Sequence, residues 1–334
     1  MNLGFSKSDL SEEQAIQITR GINRRLHMSG AGRKLFLLLL GVHLCGSQVS
    51  SQAVLTDIRR TAPVNARTAA MGDAYVAEPT DASDAYGNPA ALVFLPGVSV
   101  FASHAIESKD EIMGENTAVS LPLGRSSCVG LGTSVTHTGY VKDSPRTSTK
   151  MKMIQYGLDL AYAQMVSNSL GMGFDLGVQS TRAGNLQLTQ FTPSVGLLYT
   201  PSPEISYGID YHAQGSPLEF SYDSTSATWK NDAQRQTIEA GATLRLRLWR
   251  KDPTLILALA NEKVLGVKGI IYKGGIEFLP IEYLSVRVGY FATPQSLYTR
   301  YGLGMNLGPL RIDYLISPSH LSDRFHEIAA AFAF

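Results

Sequence analysis

From about Gly97 onward, apolar and polar positions alternate with a period of two. Ile238, Ala240, Ala242, Leu244, Leu246 and Leu248 alternate with Glu239, Gly241, Thr243, Arg245 and Arg247. Leu284, Val286, Val288 and Tyr290 alternate with Ser285, Arg287 and Gly289, and Leu170, Met172, Phe174, Leu176 and Val178 with Gly171, Gly173, Asp175 and Gly177. Leu310, Ile312, Tyr314 and Ile316 repeat the pattern around Arg311, Asp313 and Leu315. Successive side chains of a strand point to opposite faces, so each run has one apolar face and one polar or small face. An amphipathic helix would place apolar residues three and four apart, which these runs do not. About fourteen such segments follow one another, many near ten residues long, the length a tilted strand needs to cross a bilayer. Strands of soluble proteins cluster at about five or six residues. The pattern predicts an all-β fold, a transmembrane antiparallel β-barrel of about fourteen strands over residues 97–334.

The connections sort by parity. Those after even strands are short and carry turn residues: Leu123 to Ser127, Ser167 to Ser169, Pro201 to Glu204, Arg250 to Pro253, Leu279 to Ile281, and Gly308-Pro309. Those after odd strands are mostly longer and polar, including Gly139 to Lys150, Gln214 to Asp232 and Ser317 to Arg324. Outer-membrane barrels have short periplasmic turns and long outer loops. A soluble sandwich has no reason to sort its loops this way. The final strand sets Ile328, Ala330, Phe332 and Phe334 on one face, and Phe334 ends the chain as the terminal aromatic of an expected assembly signal. Tyr140, Tyr199, Tyr272, Tyr290 and Tyr301 near strand ends are candidates for an interfacial girdle.

Composition narrows the function. With 29 Lys plus Arg against 28 Asp plus Glu the net charge is +1, which gives no general electrostatic reason to bind nucleic acid. No run reaches the roughly twenty apolar residues of a spanning helix. On an outward face an arginine would meet lipid at a cost of roughly 2–4 kcal/mol, so the charged positions of the strands are expected to face the lumen. These are Asp159, Asp175, Glu239, Arg245, Arg247, Arg287, Arg311, Asp313 and Glu327, expected to pair with one another or with a segment filling the barrel. The chain carries no Gly-x-Ser-x-Gly elbow, His-Glu-x-x-His or phosphate-binding glycine loop, and no cofactor is expected. Cys45 and Cys128 are the two cysteines, too few for a cysteine-based zinc site.

At the N-terminus Arg33-Lys34 precede the apolar stretch Leu35 to Leu44, and Ser51-Gln52-Ala53 offers a small-x-small cleavage site. Residues 1–53 therefore read as an extension plus secretory signal peptide, with Met28 as the expected start because it places the basic flank where a signal's n-region belongs. Once the signal is removed, Cys128 stands alone and no intramolecular disulfide can form.

Residues 54–96 differ from the barrel: they are rich in alanine and poor in large aliphatics. The run Asn65-Ala66-Arg67-Thr68-Ala69-Ala70-Met71-Gly72-Asp73-Ala74-Tyr75-Val76-Ala77, followed by Asp81-Ala82-Ser83-Asp84-Ala85-Tyr86-Gly87-Asn88-Pro89-Ala90-Ala91-Leu92, resembles the N-terminal signature of the PorV/PorQ outer-membrane family, which is related to FadL-type barrels. Arg67, Met71, Gly72, Asp81, Ser83, Tyr86, Asn88 and Pro89 carry the match. Asp73 and Gly87 depart from it, standing where the pattern has a glycine and an aromatic or similar residue. The resemblance implies a fourteen-stranded barrel with this segment folded inward as a hatch, and small side chains suit close packing there. Arg67 is expected to meet a lumen carboxylate or periplasmic solvent.

The resemblance also implies a part in type IX protein secretion and surface attachment, with secretion components and cargo proteins as partners at the outer rim. A FadL-like channel for hydrophobic small molecules is the alternative, and a purely structural barrel a third. A lateral gap and an apolar pocket at the hatch would favour the channel, and long outer loops without such a pocket would favour secretion. On every reading the chain is non-enzymatic, sits in the cell outer membrane and contacts outer-membrane lipid.

Overall fold

The computed structural model describes residues 64–107, 112–144, 147–183, 186–214, 219–220, 229–230, 235–248, 255–293, 297–318 and 325–334. The expected signal peptide, the start at Met28 and residues 54–63 lie outside the described residues. The chain first makes a short helix α1 (Ala66–Ala70) and two 3-10 turns, η1 (Ala82–Tyr86) and η2 (Pro89–Phe94). Seven strands follow: β1 (Ser99–Glu107), β2 (Ile112–Pro122), β3 (Ser127–Ser144), β4 (Thr147–Ser167), β5 (Leu170–Ala183), β6 (Leu186–Ser202) and β7 (Ile205–Gln214). A small pair, β8 (Glu219–Phe220) and β9 (Trp229–Lys230), precedes β10 (Arg235–Leu246), β11 (Leu255–Val264), β12 (Ile271–Ile281), β13 (Leu284–Ala292), β14 (Leu297–Leu307), β15 (Leu310–Ser317) and β16 (Phe325–Ala333).

Fourteen of these strands close one antiparallel barrel in the order β1-β16-β15-β14-β13-β12-β11-β10-β7-β6-β5-β4-β3-β2, while β8 and β9 pair with each other between β7 and β10. Lipid offers no hydrogen bonds, so an open edge would cost roughly several kcal/mol per unsatisfied backbone group. Closure removes that edge: β1 and β16 pair from Ser99 with Ala333 to Glu107 with Phe325. The Phe334 N–H then donates to the Val98 carbonyl at 2.9 Å.

Alternation resolves into faces as the sequence implies. Along β1 and β2 every second residue is buried, and Leu158, Leu160, Met172, Phe174, Leu176, Val286, Val288 and Leu303 stand exposed on the outside. That outward apolar surface is what a bilayer requires of a barrel. Of the tyrosines expected at the girdle, Tyr199 and Tyr301 are exposed, whereas Tyr272 and Tyr290 are half-buried.

Two connections differ from expectation. Gly139 to Lys150 is mostly not loop: β3 runs on to Ser144 and β4 resumes at Thr147, with Tyr140 opposite Lys152 and Val141 opposite Met151. Backbone pairing needs no apolar side chains, so a hairpin continues where the polar pattern reads as a loop. The turn expected at Leu279 to Ile281 lies at Glu282-Tyr283; β12 continues through Pro280 with its register shifted between Phe278 and Ile281. Proline donates no ladder bond and is tolerated at such an irregularity.

Deleting Phe334 removes the last closing bond. It is expected to lower the amount of heat-modifiable, membrane-inserted barrel well below that of Gln214→Asp, which alters only the end of β7; equal amounts on gels would contradict this role.

Candidate functional site

The segment from Val64 to Leu95 lies within the barrel, and the residues of its signature hold it together. Asn65 caps α1, its side-chain oxygen accepting from the Arg67 N–H at 2.9 Å, while its Nδ2 donates to Ser83 Oγ at 2.7 Å and to Asp81 Oδ2 at 3.1 Å. Asp81 caps η1 by accepting from the Ser83 N–H at 2.8 Å. Asn88 caps η2 through the Ala90 N–H at 3.1 Å, and its Nδ2 ties Val76 O at 2.7 Å to Leu197 O of β6 at 3.1 Å. Pro89 opens η2, where a missing N–H is harmless. The Tyr86 hydroxyl meets the wall between the Thr117 and Thr133 carbonyls, at 2.5 and 2.7 Å, which share its single proton. Caps and turns of this kind make short helices possible without a core of large side chains.

The wall receives this segment on a belt of glycines. A Cβ built on Gly208 of β7 would fall 2.0 Å from Val76 O, and one on Gly173 of β5 2.3 Å from Ala90 N. On β12 and β13, Gly275 and Gly289 face each other across the pair. A Cβ there would fall 2.4 Å from Met71 O or 2.1 Å from Gly72 N. The two glycines form a notch for the Met71-Gly72 peptide, and Gly72 turns there with φ of +68°. Met71 packs with Ala74, Val76, Ile256, Ala258 and Ala260.

Toward the short-turn end lies a buried charge layer. Arg67 binds Glu277 at 2.8 Å and Glu78 at 3.4 Å, and Arg245 binds Glu78 at 2.5 Å. Arg287 bridges Glu277 and Asp313, both at 2.7 Å, and Arg311 joins Asp313 at 2.7 Å to Asp81 of the hatch. Four arginines meet four carboxylates, so the layer is neutral. Burial alone would push the Arg67 guanidinium down, but the Glu277 and Glu78 carboxylates outweigh it and hold the group above its ordinary value. Nearby, burial and then the Asp81 carboxylate push the Asp84 carboxyl well above the usual carboxylate range. On the long-loop side, Lys273 bridges Glu239 at 2.6 Å and Glu262 at 3.0 Å, and Arg300 binds Asp73 at 2.5 Å.

Of the nine charged residues expected in the lumen, Arg245, Arg287, Arg311 and Asp313 join the first layer and Glu239 the second. Asp159, Asp175 and Glu327 are buried on the inward faces of β4, β5 and β16. Arg247 is the exception: β10 ends at Leu246, so Arg247 lies past the strand and is exposed. Sequence reading missed Glu78, Glu277, Lys273, Asp73 and Arg300. For the wall residues the signal was present, since Lys273, Gly275 and Glu277 alternate with Gly274, Ile276 and Phe278.

Between hatch and wall a cavity of about 10 Å3 remains, bounded by Arg67, Thr68, Met71, Tyr75, Glu78 and Ala258, room for about one water. Among the described residues no three His, Cys, Asp or Glu side chains converge on a metal position.

No protein-family model matches the chain, and no curated protein matches it. Solved structures do. The toluene transporter TbuX of Ralstonia pickettii superposes with a TM-score of 0.62 at 15% identity, covering 81% of this chain and 98% of its own. The toluene transporter TodX of Pseudomonas putida gives 0.59 at 13%, covering 79% and 95%. A FadL homologue of Pseudomonas aeruginosa gives 0.57 at 12%, covering 81% and 98%. The fold is therefore that of FadL-type outer-membrane barrels. These likenesses carry the architecture and do not extend to PorV/PorQ membership.

Arg287→Met leaves Glu277 and Asp313 short of a buried partner. It is expected to destabilise the protein by roughly 3–5 kcal/mol in denaturant titrations of the micellar barrel, against roughly 0.5 kcal/mol or less for Arg247→Met. Gly289→Val is expected to leave a closed barrel but expel the Met71-Gly72 peptide, seen as new protease cleavage within residues 70–77; an uncleaved hatch would show that the notch is not tight.

Proposed function

We propose that the protein is an outer-membrane channel for hydrophobic small molecules, closed at rest by the Val64 to Leu95 hatch. The observation that carries this reading is the shared architecture: a fourteen-stranded barrel of the same fold as proteins described as toluene transporters. The physical logic is consistent with it. A barrel of this width either holds water or is filled, and here the hatch main chain meets the wall main chain with almost no space between them. Such a seat would block free diffusion of polar solutes. Passage of an apolar solute would require the hatch to shift rather than a pore to stand open. No covalent step is part of this function.

Service in type IX secretion is a second reading. One observation favours it: each strand of the described wall pairs with its neighbours around the whole ring, so no lateral gap opens among the described residues. The signature residues that raised this reading act structurally as caps and ion-pair partners, which lessens its weight.

A deletion strain separates the two. On the channel reading it takes up a monoaromatic hydrocarbon more slowly at limiting concentration and displays cargo bearing a C-terminal secretion signal normally. Normal uptake with cargo lost from the surface would overturn the channel reading in favour of the second. In planar bilayers the intact protein is expected to conduct little, and removal of residues 64–95 to open a large steady pore; an intact protein that already conducts like an open porin would refute the closed hatch.

A further inference from the structure

We propose that Arg300 is a two-position latch on the hatch: it holds Asp73 in the closed state and exchanges to Glu327 to let the Met71 to Tyr75 segment leave its notch. The inference concerns how the hatch is held, and it stands apart from what the barrel carries.

Three observations meet at this point. Asp73 is the one described non-glycine residue with positive φ, at 59°, a left-handed conformation that is uncommon outside glycine and that Asp and Asn tolerate better than other residues. Such outliers persist where the surroundings enforce them. Here Asp73 is held at both ends: its N–H donates to the Thr68 carbonyl at 3.0 Å, and its carboxylate pairs with Arg300 Nη1 at 2.5 Å on the long-loop side of the hatch. Arg300 is itself steadied over the Phe291 ring, 5.8 Å from its centroid.

Glu327 is the second observation. It is 1% exposed on the inward face of β16, yet neither carboxylate oxygen has a hydrogen-bond partner. Buried polar atoms are nearly always paired, so an orphaned carboxylate calls for a physical account. The neighbouring Ser103 does not satisfy it, because its hydroxyl proton goes to Val64 O at 2.9 Å. Lys273 is engaged by Glu239 and Glu262.

The third is register. Gly302 of β14 lies opposite Leu315 of β15, which lies opposite Glu327 of β16. Arg300 is the next inward residue of β14 toward the long-loop end. Two strand spacings, about 10 Å, separate the two backbones, a span that an extended arginine and an extended glutamate bridge together. Exchange would satisfy the orphaned carboxylate, leave Asp73 held by its backbone hydrogen bond alone and loosen the peptide seated between Gly275 and Gly289. Two arrangements of one cation give the bistable element that a gate needs.

Hydrogen exchange of the Gly72, Asp73 and Ala74 amides, read in the full-length protein in micelles, tests this. Asp73→Asn weakens the holding partner and is expected to speed exchange about tenfold, whereas Glu327→Gln removes the receiving charge and is expected to slow it several-fold below wild type. Glu327→Asp keeps the charge but withdraws it from reach, and should slow exchange as well, which covers the case in which Glu327→Gln fails to assemble. Heat-modifiable gel mobility confirms a closed barrel in each variant. If the Glu327 variants exchange at the wild-type rate or faster, or Asp73→Asn leaves the rate unchanged, the latch is refuted, whatever the uptake assays show.

Discussion

A ring of fourteen strands encloses more space than its own inward side chains fill, and this shapes the rest of the molecule. The lumen must hold water or protein. In this chain it holds the Val64 to Leu95 segment, and both partners have compositions suited to that contact. The hatch offers alanines, short caps and turns. The wall offers glycines at inward positions on strand after strand. Where Gly208 meets Val76 and Gly275 meets Met71, the distance between main chains leaves no room for a methyl group. Dispersion contacts at such range are individually small but numerous, and they take the place of a core of large side chains.

The charges follow from the same geometry. Polar groups cannot face lipid, so they face inward and become buried once the hatch is seated. The layer of Arg67, Arg245, Arg287 and Arg311 with Glu78, Asp81, Glu277 and Asp313 avoids the penalty of unpaired burial because it is balanced and closely hydrogen-bonded. Hatch residues supply three of its eight members: Arg67, Glu78 and Asp81. The barrel without its hatch would leave Glu277 and Arg245 with lost partners, so hatch and wall specify each other. The long-loop side is different. There Asp73 turns with positive φ beside Arg300, and Lys273 joins Glu239 and Glu262.

The architecture was legible in the sequence because period-two alternation is a local property that a membrane enforces on every strand. Residues such as Leu170 to Val178 and Leu310 to Ile316 declare their faces without reference to any neighbour, and the short turns declare which strands are adjacent. Inward charges were legible by the same rule, with Arg247 mistaken because alternation persists one step beyond the point where pairing stops. The hairpin of β3 and β4 extended farther than its polar residues implied, since backbone pairing outside the membrane leaves no hydropathy trace. The signature around Arg67 and Asn88 marked the hatch, but not what each residue does there.

The sequence by itself determined the strand count, the faces of the strands, and the distinct character of the segment before them. Only the tertiary structure decided the partners: that Arg67 meets Glu277, 210 positions away, that Gly275 and Gly289 form one notch, and that Asp73 is held by Arg300. The physical reason is that alternation fixes the direction in which a side chain points, whereas a contact across the lumen depends on the register of every strand between the two residues and on the path of the hatch among them.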